Sequence, residues 1–338
     1  MAEKMPVEQV ADLVFGQWMA RVVYVIARLG IADHVAPASQ SATELAAATQ
    51  THAPSLYRVL RAATTIGVLT EDAEGRFALT EMGDCLRSDH PAGLRWMSML
   101  LNDEWEWKTW EYLPWSVETG QSAFEHIYGM NRFEYLQRHP ESRVLFDRAM
   151  TGYSALHNTA VVASYPFATR THVIDLGGGN GGLLTAILQA HPALTGTLVE
   201  LEPAIAQARP LVAAAGVADR CTLTVGDFFQ TVPSADTYLI QRCFHNWNDA
   251  AVLQVLTTVR HNMPPSATLL VIELVVPPAG EPAFGKILDV DMLVTTHGGR
   301  ERTETEWRHL LNTTGFQVQR LIAVPGTPLT ILECIGVE

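Results

Sequence analysis

The segment Val173-Ile174-Asp175-Leu176-Gly177-Gly178-Gly179-Asn180-Gly181-Gly182, opening onto Leu183-Leu184-Thr185-Ala186-Ile187-Leu188, constrains this chain more than any other. An apolar run closed by an acid and a glycine cluster predicts a buried strand, a tight turn whose backbone approaches a ligand, and a helix N-terminus. A turn of that kind holds a nucleotide-like cofactor. Two frames fit it. Gly177, Gly179 and Gly182 satisfy the dinucleotide pattern G-x-G-x-x-G, and Asp175, Gly177, Gly179 and Gly181 satisfy D-x-G-x-G-x-G. A glycine turn with a structural role alone is the alternative to both.

Downstream, the pattern alternates between strand and helix. Strands are predicted at 195–199, ending in Glu200, at 221–225, at 237–240 and, as one long strand, at 268–276. Helices are predicted at 204–215, 250–262 and 304–314, with two last strands at 318–324 and 329–335. Such alternation predicts an α/β fold with a doubly wound, mostly parallel sheet.

Upstream, residues 7–35 read as helical, with Val10, Val14, Trp18, Val22, Val23, Ile26 and Leu29 on a wide apolar face and Gly30 ending the run. Ser41-Ala42-Thr43-Glu44 has capping-box spacing, and 55–66 reads as a second helix after it. Residues 67–80 read as strand, turn, strand. Helix, helix, hairpin is the layout of a winged helix. Residues 1–90 nevertheless hold seven Lys or Arg against eleven Asp or Glu, the wrong sign for a phosphate-binding surface.

The chain's 338 residues suffice for two domains with separate cores. Its net charge of −13 offers no basic face to nucleic acid or an anionic membrane, so the expected partner is a small molecule. No uninterrupted apolar run approaches the roughly eighteen residues of a membrane span. Met1-Ala2-Glu3-Lys4 leads into an amphipathic helix in place of a signal peptide, which predicts a cytoplasmic protein. Cys85, Cys221, Cys243 and Cys334 are scattered without metal-ligand spacing, so neither a disulfide framework nor a metal site is expected.

Five of the eight tryptophans, Trp96, Trp105, Trp107, Trp110 and Trp115, lie close together in sequence, as core or interface anchors or as walls of an aromatic substrate pocket. Residues 131–164, with Phe133, Leu136, Val144, Phe146, Met150 and Leu156, read as further helix.

The D-x-G-x-G-x-G frame resembles the first motif of class I S-adenosylmethionine (SAM) methyltransferases. Glu200 offers a carboxylate to ribose hydroxyls in either cofactor class and does not discriminate. Gly226-Asp227-Phe228-Phe229 resembles the adenine-binding segment of SAM enzymes, the alternative being a helix cap at Asp227 with core phenylalanines. Arg242-Cys243-Phe244-His245-Asn246-Trp247-Asn248-Asp249 closely resembles the H-D-W segment of the small-molecule O-methyltransferases, a family that includes plant caffeate and flavonoid enzymes and bacterial antibiotic-tailoring enzymes. The resemblance extends to the winged helix, to Phe146-Asp147-Arg148-Ala149-Met150, and to Asp289-Val290-Asp291-Met292-Leu293 running into Gly298-Gly299-Arg300-Glu301-Arg302-Thr303. It covers nearly the whole chain.

That resemblance implies a class I SAM-methyltransferase Rossmann-like sheet at 166–338, a mainly helical winged-helix dimerisation domain at 1–100 and a helical linker at 101–165. It implies SAM as cofactor, S-adenosylhomocysteine as product, a homodimer, and methyl transfer to a hydroxyl of a small aromatic secondary metabolite. His245 is the implied general base, an imidazole's unperturbed pKa lying near neutrality, with Glu273 and Glu301 beside it. Implied cofactor contacts are Asp175, Gly177, Gly179, Glu200, Gly226, Asp227, Phe228 and Arg242. Implied substrate contacts are Trp105, Phe146, Met150, Trp247, Met292 and Thr296. An acid in so apolar a strand as Glu273 needs a partner; Glu301, between two arginines, has a solvated ion pair as its alternative. The chain departs from the family pattern at Asn246, Gln241, Thr296 and His297, so the acceptor does not carry over by analogy. Nitrogen or carbon methylation on the same scaffold and a non-catalytic SAM-binding regulator are the rival readings.

Overall fold

The computed structural model describes residues 4–337. They form two compact units: one holds the residues up to Lys108 with Leu136–Leu156, the other Thr109–Tyr135 and the chain from His157 onward.

The second unit is built on a seven-stranded sheet. Its strands are β1 His172–Leu176, β2 Thr195–Glu200, β3 Cys221–Val225, β4 Thr237–Gln241, β5 Thr268–Glu273, β6 Phe316–Ala323 and β7 Thr330–Gly336. They lie in the order β6-β7-β5-β4-β1-β2-β3. The pairs β1–β2, β2–β3, β1–β4 and β4–β5 are parallel, and β7 runs antiparallel to both neighbours. Successive residues point to opposite faces, so Ile174, Ile240 and Leu269 join one core while Val173, Leu239 and Leu270 join the other. Helices cover both faces, which is why these strands read as continuous apolar runs. The strand order reverses between β1 and β4, the switch point where such sheets bind ligands at their carboxyl edge.

The predicted strand 268–276 breaks after Glu273. Val275–Val276 leaves the sheet and pairs in parallel with Arg302–Thr303. This two-stranded ribbon carries Glu301 to the end of β5. Residues 131–164 are likewise two helices, Arg132–Arg138 and Pro140–Ser164, since proline cannot continue a helix but starts one well.

In the first unit, helices Ala42–Thr49 and Ala53–Thr65 precede the antiparallel hairpin Leu69–Glu71 and Arg76–Leu79. The capping box forms: Ser41 Oγ accepts from Glu44 N at 3.3 Å, and Glu44 Oε2 accepts from Ser41 N at 2.7 Å. The long N-terminal helix is Pro6–Arg28, and left-handed Gly30 (φ 65°) separates it from Ile31–Val35. Ile26 is fully buried, whereas Val10, Leu13, Val14 and Trp18 are exposed. By length and composition Pro6–Arg28 is the one helix among the described residues that could cross a bilayer. Glu8, Asp12 and Arg21 interrupt it, so it is not the uninterrupted apolar run of a typical span.

The tryptophans do separate work. Trp105 is buried, Trp107 lies beneath the Arg21 guanidinium at 4.0 Å, and Trp96 beneath those of Arg95 and Arg148. In the second unit, Trp115 stacks on His126 at 4.1 Å.

Candidate active site

Four loops and a strand end converge on the carboxyl edge of the sheet. The first is the glycine turn, where Gly177, Gly179 and Gly181 all take left-handed backbone (φ 70°, 61° and 77°). A Cβ on Gly178 would collide with Asp175 Oδ2, so the loop wraps its own acid. A Cβ on Gly179 would meet nothing within 4 Å. The Gly179 N–H donates to Glu200 Oε1 at 3.1 Å, and Leu201 N donates to Glu200 Oε2 at 2.7 Å. Glu200 thus ties the end of β2 to the turn.

Asp175 is 1% exposed, and neither of its oxygens accepts a hydrogen bond with acceptable geometry from the protein. Burial first, then the charge of Glu200, pushes its pKa to about 7. A carboxyl enclosed with both oxygens unsatisfied, beside a glycine with open space at its Cβ, fits a ligand that brings hydrogen-bond donors to this turn.

After β3, Gly226 N donates to Glu200 O at 3.0 Å. Asp227 makes a turn, accepting from Phe229 N at 2.9 Å and Gln230 Nε2 at 3.0 Å, and does not cap a helix. The Phe228 and Phe229 rings stack at 5.2 Å, and Phe229 meets Trp247 edge-on at 5.0 Å. A Cβ on Gly177 would lie 3.1 Å from the Phe228 ring, so that phenylalanine borders the glycine turn.

After β4, Arg242 takes left-handed backbone (φ 47°) unusual for a side-chain-bearing residue, while its N–H donates to Ile272 O at 2.9 Å. The turn Phe244–Asn246 follows. His245 is buried, and its Nδ1 lies 2.8 Å from Glu301 Oε1. Glu273, fully buried at the end of β5, accepts from Phe244 N at 2.9 Å through Oε1, leaving Oε2 without a partner. One ring nitrogen of His245 and one carboxylate oxygen each of Glu273 and Glu301 lie within 4.8 Å of one another.

Burial dominates the electrostatics of this trio. It pushes His245 down to about 4, Glu273 up to about 7 and Glu301 up to about 8. The imidazole is therefore uncharged at neutral pH. The arginines flanking Glu301 are occupied elsewhere: Arg300 pairs with Asp249 and Glu306, and Arg302 with Asp249. A solvated ion pair at Glu301 is thereby excluded, and the Glu301 backbone N–H is fixed by Asp289 Oδ1 at 2.8 Å.

Several side chains that sequence reasoning quoted only within motifs, or passed over, hold this turn. Arg302 is fully buried and donates to Trp247 O at 2.7 Å, Phe244 O at 3.2 Å and Asp249 Oδ1 at 2.9 Å. Gly299 packs so closely that a Cβ would strike the His245 carbonyl and Thr296 Oγ1. A charged residue beside a strand-forming threonine was the available signal for Arg302; its partners, 53 to 58 positions away, carried none.

Of the expected substrate contacts, Trp105, Phe146 and Met150 fall in the first unit and Trp247, Met292 and Thr296 in the second. Trp247 is half-buried and Met292 buried. The Thr296 hydroxyl is engaged by backbone, donating to Met292 O at 2.7 Å and accepting from Gly299 N at 3.0 Å.

Comparison with known proteins decides between the two cofactor frames. Residues 110–317 match the O-methyltransferase domain and residues 11–89 the O-methyltransferase dimerisation domain. The chain belongs to the O-methyltransferase family. It is a SAM-dependent enzyme with the α/β fold and helical N-terminal domain of its relatives. Among those, it is 40% identical to a phenazine O-methyltransferase of Lysobacter antibioticus, over 95% of this chain and 94% of that one. It is 34% identical to an 8-amino-8-demethylriboflavin N,N-dimethyltransferase of Streptomyces davaonensis, over 94% and 92%. A solved O-methyltransferase from neocarzinostatin biosynthesis, in complex with SAM and 2-hydroxy-5-methyl naphthoic acid, superposes with a TM-score of 0.81 at 33% identity, covering 99% of this chain and all of that one.

Proposed function

We propose that the protein methylates a hydroxyl of a small aromatic secondary metabolite, with His245 as general base. One observation carries this reading: a buried, uncharged imidazole whose Nδ1 lies 2.8 Å from Glu301 Oε1, so that with the ring proton on Nδ1 the Nε2 lone pair is left to take a proton. SAM supplies a methyl group on a sulfonium, already an excellent electrophile. The chain's own residues have to align the nucleophile and deprotonate it, and a positioned base contributes roughly 10²–10⁴-fold. In the tautomer this role needs, Nδ1–H donates to Glu301. Glu273 acts one step back, holding the Phe244 N–H and so the orientation of the turn.

Asp175, Gly177, Gly179, Glu200, Gly226, Asp227, Phe228 and Arg242 are the proposed cofactor contacts. Trp247 and Met292 are proposed on the acceptor's side. The exposed apolar residues of Pro6–Arg28 fall largely within the matched dimerisation domain, which supports a homodimer that buries them. A cytoplasmic location fits the four unpaired cysteines.

Nitrogen methylation is the second reading, favoured by the riboflavin N,N-dimethyltransferase relative. A panel of phenols, anilines and activated carbons with isotope-labelled SAM, read by mass spectrometry, separates the two. Label on phenolic oxygen supports the proposal; transfer confined to amines or carbon overturns it.

A further inference from the structure

The turn that carries His245 is held from a second side, by a residue absent from the expected site. Arg132, buried, donates through Nη2 to Asn246 Oδ1 at 2.8 Å and through Nη1 to Thr295 Oγ1 at 3.2 Å. Thr295 Oγ1 in turn donates to Asp291 O at 2.7 Å, and Asp291 Oδ1 accepts from Trp110 Nε1 at 3.1 Å. On the other side, Asn246 Nδ2 donates to Cys243 O at 3.1 Å. The amide meets both demands, whereas a carboxylate would accept from Arg132 but could not donate to the carbonyl.

We infer that Arg132 is a positioning residue for methyl transfer, fixing through Asn246 the turn that carries His245 against the helix Gly285–Thr295. The inference rests on His245 being the base, yet its geometry stands apart from that role. The guanidinium also adds a positive charge near the imidazole and opposes its protonation, as Arg242 does. Glu273, Glu301 and Asp291 face the same ring, Glu301 by direct contact and the other two through their charges. Losing Arg132 therefore both loosens the turn and makes protonation easier.

The test reads the ring itself in full-length protein labelled with ¹⁵N-histidine, the His245 signal being assigned by its loss in His245→Gln. Arg132→Met should raise the His245 titration midpoint by about one pH unit or more. Asn246→Asp, which adds a negative charge and removes the bond to Cys243, should raise it further. Arg132→Lys should restore most of the midpoint. A purely structural Arg132 would lower the melting temperature without moving the titration. Unchanged midpoints in folded Arg132→Met and Asn246→Asp overturn the inference. If the midpoints move but His245→Gln keeps wild-type kcat, the clamp stands and the base assignment falls.

Discussion

Two turns on the same sheet edge are built by opposite means. The glycine turn after β1 is shaped by backbone, with three left-handed glycines and an acid that the loop itself encloses. The His245 turn after β4 is shaped by side chains from distant parts of the chain: Arg132, Glu273, Glu301 and Arg302. The first keeps space and unsatisfied acceptors for a ligand. The second uses its surroundings to hold one imidazole still and uncharged.

If this contrast holds, the two turns should fail differently. Gly179→Val places a side chain in open space, at a strain of about 1–2 kcal/mol for left-handed backbone. Calorimetric SAM affinity should fall by at least about a thousandfold, roughly 4 kcal/mol, while the protein stays folded. Retained affinity would mean that the turn is structural.

Arg302→Met should show the reverse pattern. Removing a buried guanidinium leaves the Phe244 and Trp247 carbonyls without their donor. Denaturant unfolding should report a loss of about 2–4 kcal/mol, with kcat reduced and SAM affinity nearly kept. A cofactor affinity that falls in step with kcat would erase the distinction between the turns.

The smallest effect is on stability against pH. Asp175, Glu273 and Glu301 have folded pKa values raised to about 7, 7 and 8. Their contribution is complete below the unfolded carboxylate values and is lost as pH rises through 7 to 8. His245, lowered to about 4, acts oppositely and only between about 4 and 6.5. From pH 6.5 to 8.5, cofactor-free protein should therefore melt at falling temperature, with a shallower slope in Glu273→Gln. A flat profile would contradict the buried state of these carboxyls.

How much was legible in the sequence follows the same division. The glycine turn was readable because its cause is local: strand, acid and glycines lie within ten residues. Gly30, the Ser41 capping box and the hairpin before Thr80 were readable for the same reason. His245 came from its motif, and Glu273 and Glu301 from family resemblance, but what brings them together did not. That is the ribbon Val275–Val276 with Arg302–Thr303, hidden in a run that reads as one strand. Arg132 and Asn246 are 114 positions apart, and Trp110 and Asp291 are 181 apart. No periodicity or spacing announces such pairs, because they exist only once the sheet is formed.

The central claim is that an uncharged His245 removes the acceptor's proton. Single-turnover methyl transfer to a phenol that the wild type methylates, measured from pH 4 to 9 in wild type and His245→Gln, tests it most directly. The account predicts a wild-type rate that falls as pH approaches the depressed value of about 4, and a His245→Gln rate lower by roughly 10²–10⁴-fold with SAM affinity nearly unchanged. A His245→Gln enzyme that keeps the wild-type rate at saturating phenol would contradict it.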